Sequence, residues 1–303
     1  MAETPVITLD LNFQGMPQAI SVYLIRHAQG AVLVECGSGS TVAALEAALG
    51  QHGLRARDVT HVLLTHIHLD HAGAAGWMAA QGAKICVHPV GAPHLMDPQK
   101  LLRSATRIYG AEMDSLWGEF RPVPSDSLVV PADGEVLQIG PLRFTAIDTP
   151  GHAEHHYCYL LEDLCFTGDI GGIRIPGYPY LRLPMPPPEL HLEKWRASIR
   201  RLQGLKFPRV APTHFGIYDD ATWHLQAVHA AIEETTRWLE GVMRDDPDVE
   251  ELRRRFLSWM DQEGRRQGLS AEAIRSYDLA NPLGMSADGL FRCWHKVRSA
   301  ACT

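Results

Sequence analysis

Residues 63–73, "LLTHIHLDHAG", place His66, His68, Asp70 and His71 directly behind an apolar run. Imidazole and carboxylate groups at this density cost stability in a core unless something binds them. Residues i and i+2 of a strand share a face, so His66 and His68 can reach one ion from the strand's end. Asp70 and His71 follow on a turn and can face a neighbouring position, which suggests two ions rather than one. Two first-row metals need more donors than four side chains supply. Three further candidates stand where a strand-like run gives way to a turn: His152 in "DTPGH", Asp169 in "CFTGD" and His214 in "APTHFG". Such loop positions are where function is usually carried. A mixed His/Asp set suits two divalent ions, zinc first, with manganese or iron as alternatives.

The expected chemistry is metal-assisted hydrolysis. Two bridged ions lower the pKa of a shared water enough to hold hydroxide near neutral pH, and one ion polarises the oxygen that gains charge. Asp70 is the expected catalytic carboxylate, both ligating and orienting the nucleophile. No serine or cysteine nucleophile is required.

These residues need elements to position them. Strand-like alternation opens the chain in "VITLDLNF", "AISVYLIRH" and "AVLVECGSG", and a helix follows in "TVAALEAALGQHG". The strand "VTHVLLTH" runs into the first cluster; "AGAAGWMAAQG" reads as a short helix and residues 93–120 as loosely amphipathic helix. Asp-Gly and Gly-Pro turns separate short strands in "LVVPADGEVLQIGPLRFTAIDTPGH", and "HHYCYLLEDLCFTGD" reads as a hairpin. After about residue 220 strand signals stop and four helices are expected. The division is therefore a mixed α/β body over residues 1–220 and a helical extension over 221–303.

"THIHLDH", "TPGH", "TGD" and "PTHFG", in that order, resemble the metallo-β-lactamase superfamily over roughly residues 6–220. The resemblance implies a four-layer αββα sandwich, an α/β fold with its metal site at one edge of two sheets. It implies that His66, His68 and His152 bind a first ion, that Asp70, His71 and His214 bind a second, and that Asp169 bridges them. One departure stands out: where the family places an aspartate after an early strand, "LVECGSG" carries Glu35, expected to orient rather than ligate. His155 and His156 are open between a site and a packing role. His61, His88, His94 and His224 are expected to be structural or surface residues.

Substrate choice is expected in the loop "GGIRIPGYPYLRLPMPPP" between two ligands. Tyr178 and Tyr180 there could hydrogen-bond a carbonyl, and Arg174 or Arg182 could meet a carboxylate; a purely stiffening role is the alternative. With "NPLGMSADGLFRCWHK", this loop resembles a bacterial branch close to glyoxalase II. The resemblance implies hydrolysis of a small ester, thioester or lactone. Its alternatives are a sulfur dioxygenase using one iron at His66, His152 and Asp169, and a non-catalytic binding protein on the same fold.

Composition narrows the partners. At 303 residues and 46% apolar content a sizeable core is available, and a formal net charge of −7 argues against a nucleic-acid binder. Six scattered cysteines form no CxxC pair, as expected of free thiols in a reducing compartment. "MAETPVITLDLNF" has no basic, apolar leader pattern and no run reaches membrane-span length, so a cytoplasmic protein acting on a small molecule is expected. Trp223, Trp238, Trp259 and Trp294 put a large apolar load in the extension, which either covers the site or forms a homodimer face.

Overall fold

The computed structural model describes residues 4–301, with side chains through Lys296. Strands β1 (Val6–Asp10), β2 (Ser21–His27), β3 (Gly30–Val34), β4 (Val59–Leu63), β5 (Lys84–Cys86) and β6 (Leu128–Val129) form one sheet in sequence order. Its first three strands are antiparallel, and β3 to β6 run parallel. Parallel neighbours need crossovers. Helix α1 (Val42–Gln51) supplies the one between β3 and β4. Helices α2 (Leu69–Ala72) and α3 (Ala75–Ala80) carry the chain to β5, and α4 (Ala92–Met96), α5 (Gln99–Tyr109) and α6 (Met113–Trp117) carry it to β6.

The second sheet holds β7 (Val136–Ile139), β8 (Leu142–Asp148), β9 (Tyr157–Leu161), β10 (Leu164–Phe166) and β11 (Arg209–Ala211), with β11 parallel to β10. Helix α7 (Leu192–Gln203) makes that crossover, and α8 (Ala221–Val242), α9 (Val249–Arg266), α10 (Ala271–Ala280) and α11 (Leu283–Ala301) follow.

Period-two alternation explains the layering. Along β2, Tyr23 and Ile25 face the second sheet while Val22 and Leu24 pack with Leu45, Leu49 and Met78 of the first helical layer. Along β9 and β10, Tyr157, Tyr159, Leu161, Leu164 and Phe166 meet them between the sheets, while Cys158 and Cys165 face Trp195, Ile199 and Val228. The result is the αββα sandwich expected from the motifs.

The extension forms the four helices expected, and Leu225, Val228, Ile232, Leu252, Phe256 and Leu290 share one core with Ile147, Cys158 and Val210 of the second sheet. Trp238 and Trp259 stack at 4.9 Å against that core, and Trp294 packs on it. Trp223 instead lies over the Arg174 guanidinium. The five described cysteines are buried free thiols; Cys302 lies outside the described residues. Among the described residues no helix is long and apolar enough to cross a membrane.

Candidate metal centre

All seven motif residues meet at one end of the two sheets. His66 and His68 lie just beyond β4, and Asp70 and His71 lie on α2, a short helix where the sequence suggested a turn. His152 follows β8, Asp169 sits on a 3-10 turn (Gly168–Gly171) after β10, and His214 follows β11. Two glycines permit these turns. Gly151 has φ +146 and packs where a Cβ would fall 2.3 Å from Trp195 Cα; at Gly168, φ +49, a Cβ would fall 2.5 Å from Thr65 Oγ1.

The donors divide into two groups: His66, His68, His152 and Asp169; and Asp70, His71 and His214. Within each, the donor atoms lie within 4.8 Å of one another. Asp169 reaches both. Its Oδ2 is 3.3 Å from His152 Nε2 and 4.0 Å from His66 Nε2, while its Oδ1 is 3.2 Å from His71 Nε2 and 3.4 Å from His214 Nε2. Asp70 Oδ2 is 3.4 Å from both His71 Nε2 and His214 Nε2.

Hydrogen bonds at the far side of each ring set the tautomers. His152 Nδ1 donates to the Pro184 carbonyl at 2.8 Å, and His214 Nδ1 to the Ala19 carbonyl at 2.6 Å. His71 Nδ1 donates to Glu35 Oε1 at 3.0 Å. Thr65 Oγ1 donates to the same oxygen at 2.5 Å and accepts from His66 Nδ1 at 3.1 Å. Each of these four rings therefore turns an Nε2 lone pair inward, and His68 adds its Nδ1 at 2.9 Å from His66 Nε2. Lone pairs aimed at one another repel unless a cation lies among them.

Two observations test that fit. His71 Nε2 and Asp169 Oδ1 are buried without a hydrogen-bond partner, although they face each other. Burial is the largest influence on the imidazoles of His66, His68 and His152 and favours the neutral, metal-binding form, with His68 lowered to about 4. Around His71 and His214 burial is outweighed by the carboxylates of Asp70 and Asp169, which raise both rings toward the charged form. Burial likewise fails to neutralise Asp70 and Asp169; facing histidines hold both well below the usual carboxylate range. The residues fit bound metal cations.

A cavity of about 480 Å³ opens over this centre, reaching His68, Asp70, His152, Asp169 and His214. Phe13, Ile20, α5, Trp117 and the prolines 184 and 186–188 line it, and the extension contributes residues 278–282, Met285 and Arg292. The extension thus takes the covering role, one of its two expected placements.

The loop residues expected to meet substrate are placed elsewhere. Arg174 pairs with Asp220 at 2.6 Å and lies over Tyr218, and Arg182 is buried against Asp278 at 2.5 Å. Tyr178 Oη meets Ser270 Oγ at 3.1 Å, and the Tyr180 ring packs on Tyr277 at 5.0 Å. None of the four lines the cavity. Their partners lie between β11 and α8 and on or just before α10, so the loop's polar residues fasten the extension, while Pro184 and Pro186–Pro188 line the cavity.

His155 and His94 line the cavity, and His155 Nε2 lies 3.4 Å from Glu189 Oε2. His156 packs beneath the Asp169 turn, accepting from the Ile170 amide at 3.4 Å. The residues the motifs missed are those of α5, with Lys100, Leu101 and Tyr109, together with Phe13, Trp117 and Met285. Only the amphipathic pattern of α5 could have pointed to them.

His224 is buried away from the donors, and its Nε2 donates to the Gly171 carbonyl at 2.7 Å. Burial depresses its pKa to about 4, against about 6.5 in an unfolded chain. The unfolded state then binds the extra proton, so this contribution to stability is intact above pH 6.5 and is lost as pH falls toward 4. Between pH 7 and 5 the loss is roughly 2 kcal/mol. Urea melts of His224→Gln are expected to show a pH-induced loss smaller than wild type by that amount; equal losses would exclude His224.

Comparison with known proteins now adds to this geometry. The chain is 28% identical over 217 residues to an atrochrysone carboxyl ACP thioesterase of Aspergillus fumigatus, covering 69% of this chain and 55% of the relative. It is 29% identical over 150 residues to a hydroxyacylglutathione hydrolase of Shewanella halifaxensis, covering 50% of this chain and 46% of the relative. The match thus spans about half the length of each. A metallo-beta-lactamase family protein from Thermus thermophilus superposes with a TM-score of 0.63 at 24% identity, over 79% of this chain and 82% of that one, a likeness of fold. The family model of the metallo-beta-lactamase superfamily matches residues 15–214, from before β2 through the last donor histidine, and the chain belongs to that superfamily.

Proposed function

We propose that this chain is a dinuclear-metal hydrolase that cleaves a carboxylic ester, thioester or lactone. The observation that carries the reading is Asp169, whose two oxygens face two separate donor groups. His66, His68 and His152 would hold one ion and Asp70, His71 and His214 the other, with Asp169 shared. Bound divalent ions supply a Lewis acid for a carbonyl oxygen and an acidified water.

The chain's own residues do the positioning. Asp70 lines the cavity with Oδ2 turned to His71 and His214, which leaves Oδ1 to accept a hydrogen bond from, and so orient, the attacking water. Glu35, Pro184 and Ala19 lock the rings that carry the donor nitrogens, so little reorganisation accompanies the reaction. The apolar cavity walls keep bulk water from the reacting carbon. The relatives, by name a carboxyl ACP thioesterase and a hydroxyacylglutathione hydrolase, support the acyl-transfer class.

The test is elemental analysis of protein purified without chelator or added metal. About two zinc or manganese ions per chain are expected. One iron per chain, unchanged on titration with zinc, would replace this reading with oxygen-dependent sulfur chemistry.

A further inference from the structure

The cavity's shape and lining say more about the substrate than the metal donors do. Its volume, about 480 Å³, falls in the range that holds a drug-sized ligand. An acetyl or lactoyl group would leave most of it to water. Aromatic surface builds one wall: Trp117 stacks on Phe13 at 5.5 Å and meets Tyr109 edge-on at 5.0 Å. Leu101, Ala105 and Ile108 on α5 extend the apolar lining.

Two cations share the same cavity. Lys100 on α5 and Arg292 on α11 line it and remain solvent-exposed. Among the described residues neither has a carboxylate within ion-pair distance; Arg292 donates only to the Pro188 carbonyl, at 3.2 Å. Arg174 and Arg182, in contrast, each pair with a carboxylate within the fold. Arg103 and Arg107 continue the basic face of α5, which holds no acidic residue. Glu189 and Asp278 also line the cavity but face His155 and Arg182; in a chain of net charge −7, two cations without a carboxylate partner beside an apolar pocket favour an anionic ligand with an apolar body.

Resting on the hydrolase reading above, we propose that the substrate is a thioester joining a large apolar or aromatic acyl group to an anionic thiol. The acyl group fills the pocket between α5 and the extension, and Lys100 and Arg292 meet the anionic half. In the reaction a C–O bond forms from water to the acyl carbon and the C–S bond breaks. The acyl half leaves as a carboxylate, the sulfur takes one proton from water as a thiol, and the second proton goes to solvent. A phosphate-bearing thiol, free or attached to a carrier protein, and glutathione share this anionic chemistry.

The experiment uses the full, zinc-loaded chain. Acetyl-, benzoyl- and octanoyl-coenzyme A, octanoyl-glutathione and the neutral octanoyl-N-acetylcysteamine are compared by kcat/KM. Octanoyl or benzoyl is expected to exceed acetyl by about 100-fold on the same thiol. K100A/R292A is expected to cut the preference for octanoyl-coenzyme A over the neutral thioester about tenfold. Ala105→Trp is expected to lower the octanoyl-to-acetyl ratio at least about tenfold, with its melting temperature checked alongside. Binding of the inert thioether S-octyl-coenzyme A, followed by calorimetry, gives a readout apart from turnover. Turnover with no dependence on acyl size, or no binding of the thioether, overturns the proposal. Saturable thioether binding with no hydrolysis of any thioester upholds the pocket assignment and overturns the hydrolase reading instead.

Discussion

Asp169→Ala is expected to lower kcat/KM by about 10³-fold or more and metal content from about two ions per chain to one or fewer. The side chain is buried, and it turns one oxygen to each donor group. Removing it leaves three imidazole donors in one group and two imidazoles with Asp70 in the other, with no shared anion between two cations. The variant should still fold, because the Asp169 side chain makes no hydrogen bond to the backbone frame around it and Oδ1 has no partner to lose. Asp169→Asn keeps the shape and one oxygen but not the charge, so an intermediate loss is expected. Thermal unfolding and metal analysis on the same samples separate a folding defect from a site defect. Full activity in Asp169→Ala would refute the two-ion reading.

The second large effect lies outside the donor set. Glu35→Ala is expected to cost about 3–5 kcal/mol of stability and to weaken metal binding by about 10–100-fold. Glu35 Oε1 accepts from Thr65 Oγ1 at 2.5 Å, His71 Nδ1 at 3.0 Å and Thr213 Oγ1 at 3.0 Å. Its other oxygen accepts from the Thr65 amide at 3.3 Å. The residue is fully buried, so alanine strands three side-chain donors away from water. It also frees the tautomers of His71 and, through Thr65, His66. Glu35→Gln preserves an acceptor oxygen and is expected to lose metal affinity with a much smaller stability cost. Denaturant melts with and without saturating zinc measure both terms. Equal stability of Glu35→Ala and wild type would show that the three donors find other partners.

The convergence of these seven residues was legible because they sit in short motifs, each behind a strand whose apolar alternation is unmistakable. His66, His152, Asp169 and His214 all follow that pattern, and Gly151 and Gly168 mark the turns. Glu35 was visible as a departure, but not its convergence with Thr213, which lies 178 residues away. The pocket was not legible. Arg174 and Tyr180 stand between ligands in sequence, and chain proximity made them look like substrate contacts. Asp220 and Tyr277 draw them to the opposite side of the loop. The actual lining comes from α5 and from residues 278–292, whose amphipathic patterns reveal a buried face without saying what that face encloses.

All seven donors lie between residues 66 and 214, whereas one wall of the cavity comes from residues 278–292. Part of the pocket is therefore written in a stretch of the gene separate from the candidate donors. On the proposed hydrolase reading, drift in the last quarter of the chain can reshape the pocket while every candidate donor stays in place. A lineage carrying this sandwich can diversify its diet by revising its lid, and inherit the chemistry unchanged.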